Sequence, residues 1–398
     1  MNRKAKLLSV LVALPLLGFG CSKPKSADTN ANTTVAADSV APPSGAGASD
    51  PACRSVKSTV CPGDEVGPAE FDASATESTL AATTALAAAS NTKLTPVTLV
   101  LDWTPNTNHS GFFLAKDRGF YNDLGLDVTI IEPGADGGLA QLAAGNAQFA
   151  VSVAESVLPA RAAGAKLVSV AAIIQHNTSS LIVPKDRGIA RPKDLEGKTY
   201  GGFGGPLEKA LIDKLVSCDG GDPTKVKYVE IGNVDYKVGL ERKDYDAVWV
   251  FDGWDAIRLS QVDGMALVSM PFFATSGVTA GCIPDWYTPL LATSESIIAN
   301  KPELVRSFVA ATAKGFEMAR IDAPAAAEAL LKGAPELDSA LVDKSAVYLA
   351  TRYADVGATW GVQDAGVWSA FSKFLSDAKI LESPVDPATV FTNEFLPK

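Results

Sequence analysis

Leu99-Val-Leu-Asp-Trp-Thr-Pro-Asn-Thr-Asn-His-Ser-Gly-Phe-Phe113 decides how this chain is read. Val97, Leu99, Val100 and Leu101 form a short apolar run, the pattern of a strand buried on both faces. Asp102 and Trp103 follow at its carboxyl end, the edge of an open α/β sheet where ligands bind. Pro105 breaks the run, and Ser110 is placed to cap a helix starting near Gly111. His109, one of two histidines in the 398-residue chain, lies in this loop. The other, His176, lies in Gln175-His-Asn-Thr-Ser179, which also follows an apolar run, Leu167 to Ile174. Two strand ends decorated alike predict one cleft built from two loops.

The chain is long enough for two lobes and acidic, with a formal net charge of -10. That balance, and the lack of any long Lys or Arg block, argues against nucleic-acid binding. Walker-type and GxGxxG loops are absent; Gly201-Gly-Phe-Gly-Gly205 comes closest. Two histidines and scattered cysteines give no zinc-type ligand spacing, so neither a metal nor a cofactor is expected.

The first residues read as an export signal. Asn2-Arg-Lys-Ala-Lys6 is basic, and Leu7 to Phe19 is apolar but too short to span a bilayer, which takes ~20 residues. The segment ends at Gly20-Cys21, which resembles a bacterial lipoprotein signal with Cys21 lipidated after cleavage. Gly18 stands three residues before the Cys where an aliphatic residue is usual, with Leu17 one further back. An ordinary secretory signal with an incidental Cys is the alternative. Residues 1–21 are thus assigned as signal and lipidation site. Residues 22–93 are rich in Ala, Ser, Thr, Asp, Pro and Gly, and read as a disordered tether. Cys53 and Cys61 lie in the tether, Cys218 and Cys282 in the folded part; four cysteines allow three connectivities, and the sequence does not choose.

From Pro96 strands and helices alternate. Strands are expected at Val97–Leu101, Asp127–Glu132, Gln148–Ser152 and Leu167–Ile174, which predicts a largely parallel sheet covered on both faces. Ser180 to Asp186 is extended and leads into a second α/β run, with strands at Thr199–Phe203, Val226–Ile231 and Ala247–Phe251. The chain turns extended again near Tyr287–Ser294 and is then almost all helix: Pro302–Ile321, Ala323–Lys332, Ser339–Tyr353 and Asp364–Ala378. An α/β unit inserted into another through two extended crossovers is the layout of a hinged two-lobe binding protein. Residues 94–182 with 290–398 form the expected lobe 1 and residues 183–289 lobe 2, with the ligand cleft between them.

The chain resembles the thiamine pyrimidine-precursor family, binding proteins of ABC importers together with the related eukaryotic pyrimidine synthases. The resemblance runs from about Pro96 to the C-terminus. It rests on Leu101-Asp-Trp-Thr-Pro-Asn-Thr-Asn-His109, Ala171-Ala-Ile-Ile-Gln-His-Asn-Thr-Ser179, Tyr200-Gly-Gly-Phe-Gly-Gly-Pro-Leu-Glu208, Val248-Trp-Val-Phe-Asp-Gly-Trp-Asp255, Asp285-Trp-Tyr-Thr-Pro289 and Phe391-Thr-Asn-Glu-Phe-Leu396. It implies an α/β, two-lobe periplasmic-binding-protein fold of type II with a helical C-terminal part. It further implies a small aromatic heterocycle as ligand, a thiamine pyrimidine precursor first, with riboflavin or another heterocycle as the alternative. An ABC permease would be the partner, and the protein would act as a monomer on the outer side of the cell membrane. The synthase branch carries a Lys and, four residues on, a His where Ser152 and Ser156 stand here, and a dense cysteine cluster where Ser276–Cys282 has one Cys. Binding rather than catalysis is therefore expected, with a pyrimidine-forming enzyme as the remote alternative.

Each candidate residue has a plain structural reading beside the functional one. Trp103 is either core or a stacking platform; its place beyond a strand end favours the platform. Asp102 is a turn residue or an acceptor for ligand amino groups. Asn106 shapes the loop or touches ligand. His109 and His176 are cleft residues or buried loop-fixers. Ser152 and Glu155 end a strand and open a helix. Gly202 and Gly204 shape a strand-to-helix turn whose N–H groups form a generic anion site, and Glu208 adds a carboxylate there. Asp252, where the family often has an aromatic, and Trp254 follow another strand end. Tyr287 closes over the ligand or wedges the crossover. If Cys21 is the lipidation site, an inhibitor of lipoprotein signal peptidase leaves uncleaved precursor on immunoblots; unaffected processing rules it out.

Overall fold

The computed structural model describes residues 93–398 apart from 135–136 and 233. The signal segment with Cys21, the tether, Cys53 and Cys61 lie outside the described residues. Two five-stranded sheets are present. The first contains β1 (Thr95–Val100), β2 (Leu126–Ile131), β3 (Phe149–Ser152), β4 (Leu167–Ala172) and β10 (Leu290–Ser294), in the order β2-β1-β3-β10-β4. The second contains β5 (Ser179–Pro184), β6 (Thr199–Gly202), β7 (Lys227–Glu230), β8 (Ala247–Phe251) and β9 (Leu267–Pro271), in the order β7-β6-β8-β5-β9. The helices, in chain order, are α1 (Ser110–Asp117), α2 (Phe120–Asp123), α3 (Gly137–Ala143), α4 (Ala154–Ala162), α5 (Pro206–Cys218), α6 (Tyr236–Arg242), α7 (Glu295–Asn300), α8 (Pro302–Ile321), α9 (Ala323–Gly333), α10 (Ser339–Ala350) and α11 (Ala365–Asp377).

Both sheets are mixed; in the first, β1 to β4 run in one sense, as expected of a largely parallel sheet, and β10 is the exception. β10 returns from the second sheet in the opposite sense and inserts between β3 and β4, antiparallel to both. β5 does the same between β8 and β9. The changeover from the first sheet occupies residues 173–178, so the boundary expected after residue 182 falls inside β5. The helical segment after residue 295 packs largely on the first sheet, giving an α/β fold of two domains with a helical C-terminal part.

β1 is buried on both faces. Val97, Leu99 and Leu101 pack with Phe112, Phe149 and Phe316, while Val100 faces Leu142 and Ala150. Each fully buried side chain of this kind contributes about 1.5–3 kcal/mol. α1 begins where the loop after β1 ends, and it lies close against α8. A Cβ on Gly111 would meet the Phe316 ring, and one on Gly315 would strike the Gly111 carbonyl. These two glycines set the spacing of the helices and so the position of the loop.

Cys218, at the end of α5, is bonded to Cys282, with Cα atoms 5.8 Å apart. This bond selects one of the pairings the sequence left open. No helix among the described residues is long and apolar enough to cross a membrane. The bond closes a loop with a sequence separation of 64. Cys218→Ser is expected to cost about 2–4 kcal/mol of unfolding free energy, measured by denaturant titration.

Candidate functional site

The loop after β1 is held from below. The Asn106 N–H donates to His109 Nδ1 at 3.2 Å, so the ring proton sits on Nε2, which donates to Asp102 Oδ1 at 2.7 Å. His109 is completely buried. It therefore orients Asp102 and does not itself reach the cleft. Asn106 caps the turn by accepting from the Asn108 N–H at 3.0 Å and donating to the Thr104 carbonyl at 3.1 Å. Trp103, whose backbone this loop fixes, remains 46% exposed.

β8 ends at Phe251 and runs into two π-helical turns, Asp252–Ala256 and Arg258–Val262. Such turns widen a helix and recur at functional sites. Trp254, Asp255 and Arg258 project from them toward Trp103 across a cavity of about 840 Å³. Asp102, Trp103, Asn106 and Ser152 line one side, with Gly137 and Gly138 at the start of α3. Phe203, Tyr236, Phe251 and Trp254 line the other. Arg258 is held by Asp235, with Nη2 2.9 Å from Oδ2. Burial pushes the Asp255 carboxyl up to about 6, against the pull of backbone N–H groups and the Arg258 charge.

Five of the expected residues, Asp102, Trp103, Asn106, Ser152 and Trp254, meet in this cavity. The others are placed elsewhere. Glu208 accepts from the Tyr200 hydroxyl at 2.9 Å and from the Gly205 N–H at 3.2 Å, and it is nearly buried. Gly202 lacks a Cβ because one would strike Glu208 and Tyr200, and Gly204 supplies a φ of +82°. Gly202 thus answers close packing and Gly204 the turn dihedral, and Phe203 between them is what faces the cavity. Glu155 turns inward beside the Trp286 indole with Oε2 unpartnered. Desolvation pushes its carboxyl up to about 8, and the Asp102 charge adds to the rise. Asp252 accepts from the Ser180 hydroxyl at 2.9 Å, and burial raises it to about 6. Tyr287 is buried, its hydroxyl accepting from the Asp364 N–H at 2.7 Å. These are supports of the framework.

Sequence reading missed Phe203, Phe251, Asp235, Tyr236, Asp255 and Arg258. Asp255 follows Trp254 directly, and Arg258 lies one helical turn on, so a helix started at Asp252 would have found both. Away from the cavity, the loop after β1 also meets the second sheet's π turn. The Ser345 hydroxyl of α10 bonds both Thr107 and the Gly253 carbonyl. Gly253 has no room for a Cβ against Leu349.

A family model described as NMT1/THI5 like matches residues 106–327. The chain belongs to this family. It is 26% identical over 303 residues to a 4-amino-5-hydroxymethyl-2-methylpyrimidine phosphate synthase of Legionella pneumophila, covering 76% of this chain and 92% of the relative. A formylaminopyrimidine-binding protein of Halalkalibacterium halodurans is 25% identical over 315 residues, covering 75% and 90%. A riboflavin-binding protein of Chloroflexus aurantiacus is 27% identical over 321 residues, covering 76% and 87%. Among solved structures, the periplasmic aliphatic sulphonate binding protein of Escherichia coli superposes with a TM-score of 0.58 at 14% identity, covering 76% of this chain and 94% of that one. The fold of this NMT1/THI5-like protein is accordingly that of periplasmic binding proteins.

His176 does not reach the cavity. Its Nδ1 lies 2.5 Å from Asp285 Oδ2 and its Nε2 3.1 Å from Asp355 Oδ2. Carboxylates on both ring nitrogens require the imidazolium, since a neutral ring has one N–H. The Asp285 bond is the main cause that raises its pKa from 6.5 to about 9; burial opposes it, and Asp355 adds to it. The folded-state pKa is raised, so the stability from this bridge is complete below about pH 6.5 and is lost as pH rises through about 9. His176→Gln is expected to flatten the fall of melting temperature over that window; an unchanged slope would remove the bridge from the account.

Proposed function

We propose that this chain is a lipid-anchored, exported substrate-binding component of an ABC importer, and that it captures a small aromatic heterocycle without chemically changing it. The observation that carries this reading is the pair of indoles facing one cavity from the two sheets, Trp103 beyond β1 and Trp254 beyond β8. A flat ring held between them buries apolar area on both faces, and two sheets that swing together around it would form a closed complex. Asp102, oriented by His109, is the acceptor for ring or amino N–H groups. A thiamine pyrimidine precursor is the preferred ligand, in line with the formylaminopyrimidine-binding relative.

Riboflavin is the second reading, favoured by the cavity volume of about 840 Å³, toward the upper end of the ~300–1,000 Å³ usual for small-molecule sites. Catalysis is disfavoured because Ser152 and Ser156 line the cavity where the synthase branch has Lys and His, and no Lys, His or Cys is among its described lining residues. The site residues proposed are Asp102, Trp103, Asn106, Ser152 and Trp254.

Calorimetric titration with formylaminopyrimidine, hydroxymethylpyrimidine, thiamine and riboflavin tests this assignment. A pyrimidine is expected to bind, and Trp103→Ala is expected to weaken it about ten-fold or more through lost stacking and burial. Tight riboflavin binding with no pyrimidine bound would replace the ligand.

A further inference from the structure

Resting on the heterocycle reading above, we propose that the ring this cavity selects carries a positive charge. Asp102, Asp235 and Asp255 bring three carboxylates to the lining, and Arg258 is the one basic side chain among its described residues. Arg258 is already committed to Asp235. Asp255 has no ion-pair partner within 4.0 Å among the described residues. A carboxylate drawn out of water with backbone N–H groups but no ion pair still costs free energy, and a cation entering beside it recovers part of that cost.

The aromatic lining points the same way. Trp103 and Phe203 stand 46% and 49% exposed, with Tyr236 and Trp254 completing the box. Ring faces carry negative potential and attract a desolvated cation. On the second sheet's side the usual anion position is taken. The N-terminus of α5, the generic anion position on this side, is already closed by the Glu208 carboxylate, which takes the Gly205 N–H. The burial that raises the Asp255 carboxyl to about 6 still leaves it ionised at neutral pH. A protonated aminopyrimidine fits this description, and so does a ring with a fixed positive charge.

The test compares two ligands of one shape: thiamine, whose thiazolium is permanently charged, and its neutral isostere with carbon in place of the charged nitrogen. Calorimetry at neutral pH is expected to show thiamine binding about ten-fold or more tighter, with the preference shrinking as salt is added. In Asp255→Asn, checked for folding by its melting temperature, the two affinities are expected to converge. The comparison in the unaltered protein stands by itself if that variant does not fold. Equal or tighter binding of the isostere overturns the charge assignment. If both fail while hydroxymethylpyrimidine binds, the comparison passes to hydroxymethylpyrimidine and its non-basic benzene analogue, and equal or tighter binding of that analogue overturns the charge assignment; either result leaves the heterocycle reading standing. A preference unchanged in Asp255→Asn removes Asp255 from the account and overturns the proposal in the form given. Failure of every ring compound overturns both readings together.

Discussion

The hydrogen bond from His109 to Asp102 is the point on which the cavity's geometry turns. A carboxylate at a strand end is free to rotate and to hydrate, and a ligand would then have to order it. Here the imidazole below is itself fixed by the Asn106 N–H and sealed in the core, so the carboxylate is already oriented. Preorganisation of this kind reduces the entropy a ligand must give up on binding. Trp103 benefits at one remove, because the same loop carries its backbone. The loop in turn is anchored by α1, which can lie where it does only because Gly111 and Gly315 let two helices approach without side chains between them.

The second sheet meets this wall with a different device. There the strand does not end in a tight turn but opens into π-helical backbone, and the wider turn lets Trp254, Asp255 and Arg258 all reach one space. The Gly-rich turn before α5 contributes Phe203 and keeps its own carboxylate for itself. One wall is thus set by a buried histidine, the other by backbone shape, and the mixed strand order brings both to the same edge.

Much of this was legible in the residues. The apolar run followed by Asp102 and Trp103 located the first wall, and Trp254 in the motif Val248–Asp255 located the second, because a strand end is a place that alternation and turn residues mark clearly. Strand direction was not legible, since β10 and β5 are as apolar as parallel strands and only the path of the chain tells them apart. Charge partners were not legible either. Glu208 and Glu155 look alike in sequence to Asp102, yet one is taken up by Tyr200 and the other faces inward beside Trp286. Whether a carboxylate faces a ligand depends on tertiary neighbours far along the chain. Asp285 and Asp355, which hold His176, lie 109 and 179 residues from it. Asp255 shows the converse: it has no ion pair among the described residues although Arg258 lies one turn on, and no local pattern encodes that Arg258 turns to Asp235 instead.

The Ser345 hydroxyl, bonded at once to Thr107 and to the Gly253 carbonyl, ties the loop after β1 to the π turn after β8 outside the cavity lining. Any movement that parts the two walls must break that tie and lift Gly253 from Leu349. If the walls part in an open state, as the proposed function requires, the free energy of the tie enters the apparent dissociation constant through the share of molecules already closed. Changes at Ser345 or Leu349 would tune how tightly a ligand is kept without altering which ligand is kept. On the proposed reading, selectivity rests with Trp103, Asp102 and Asp255 and residence time with α10, so the two could drift independently as the sequence evolves.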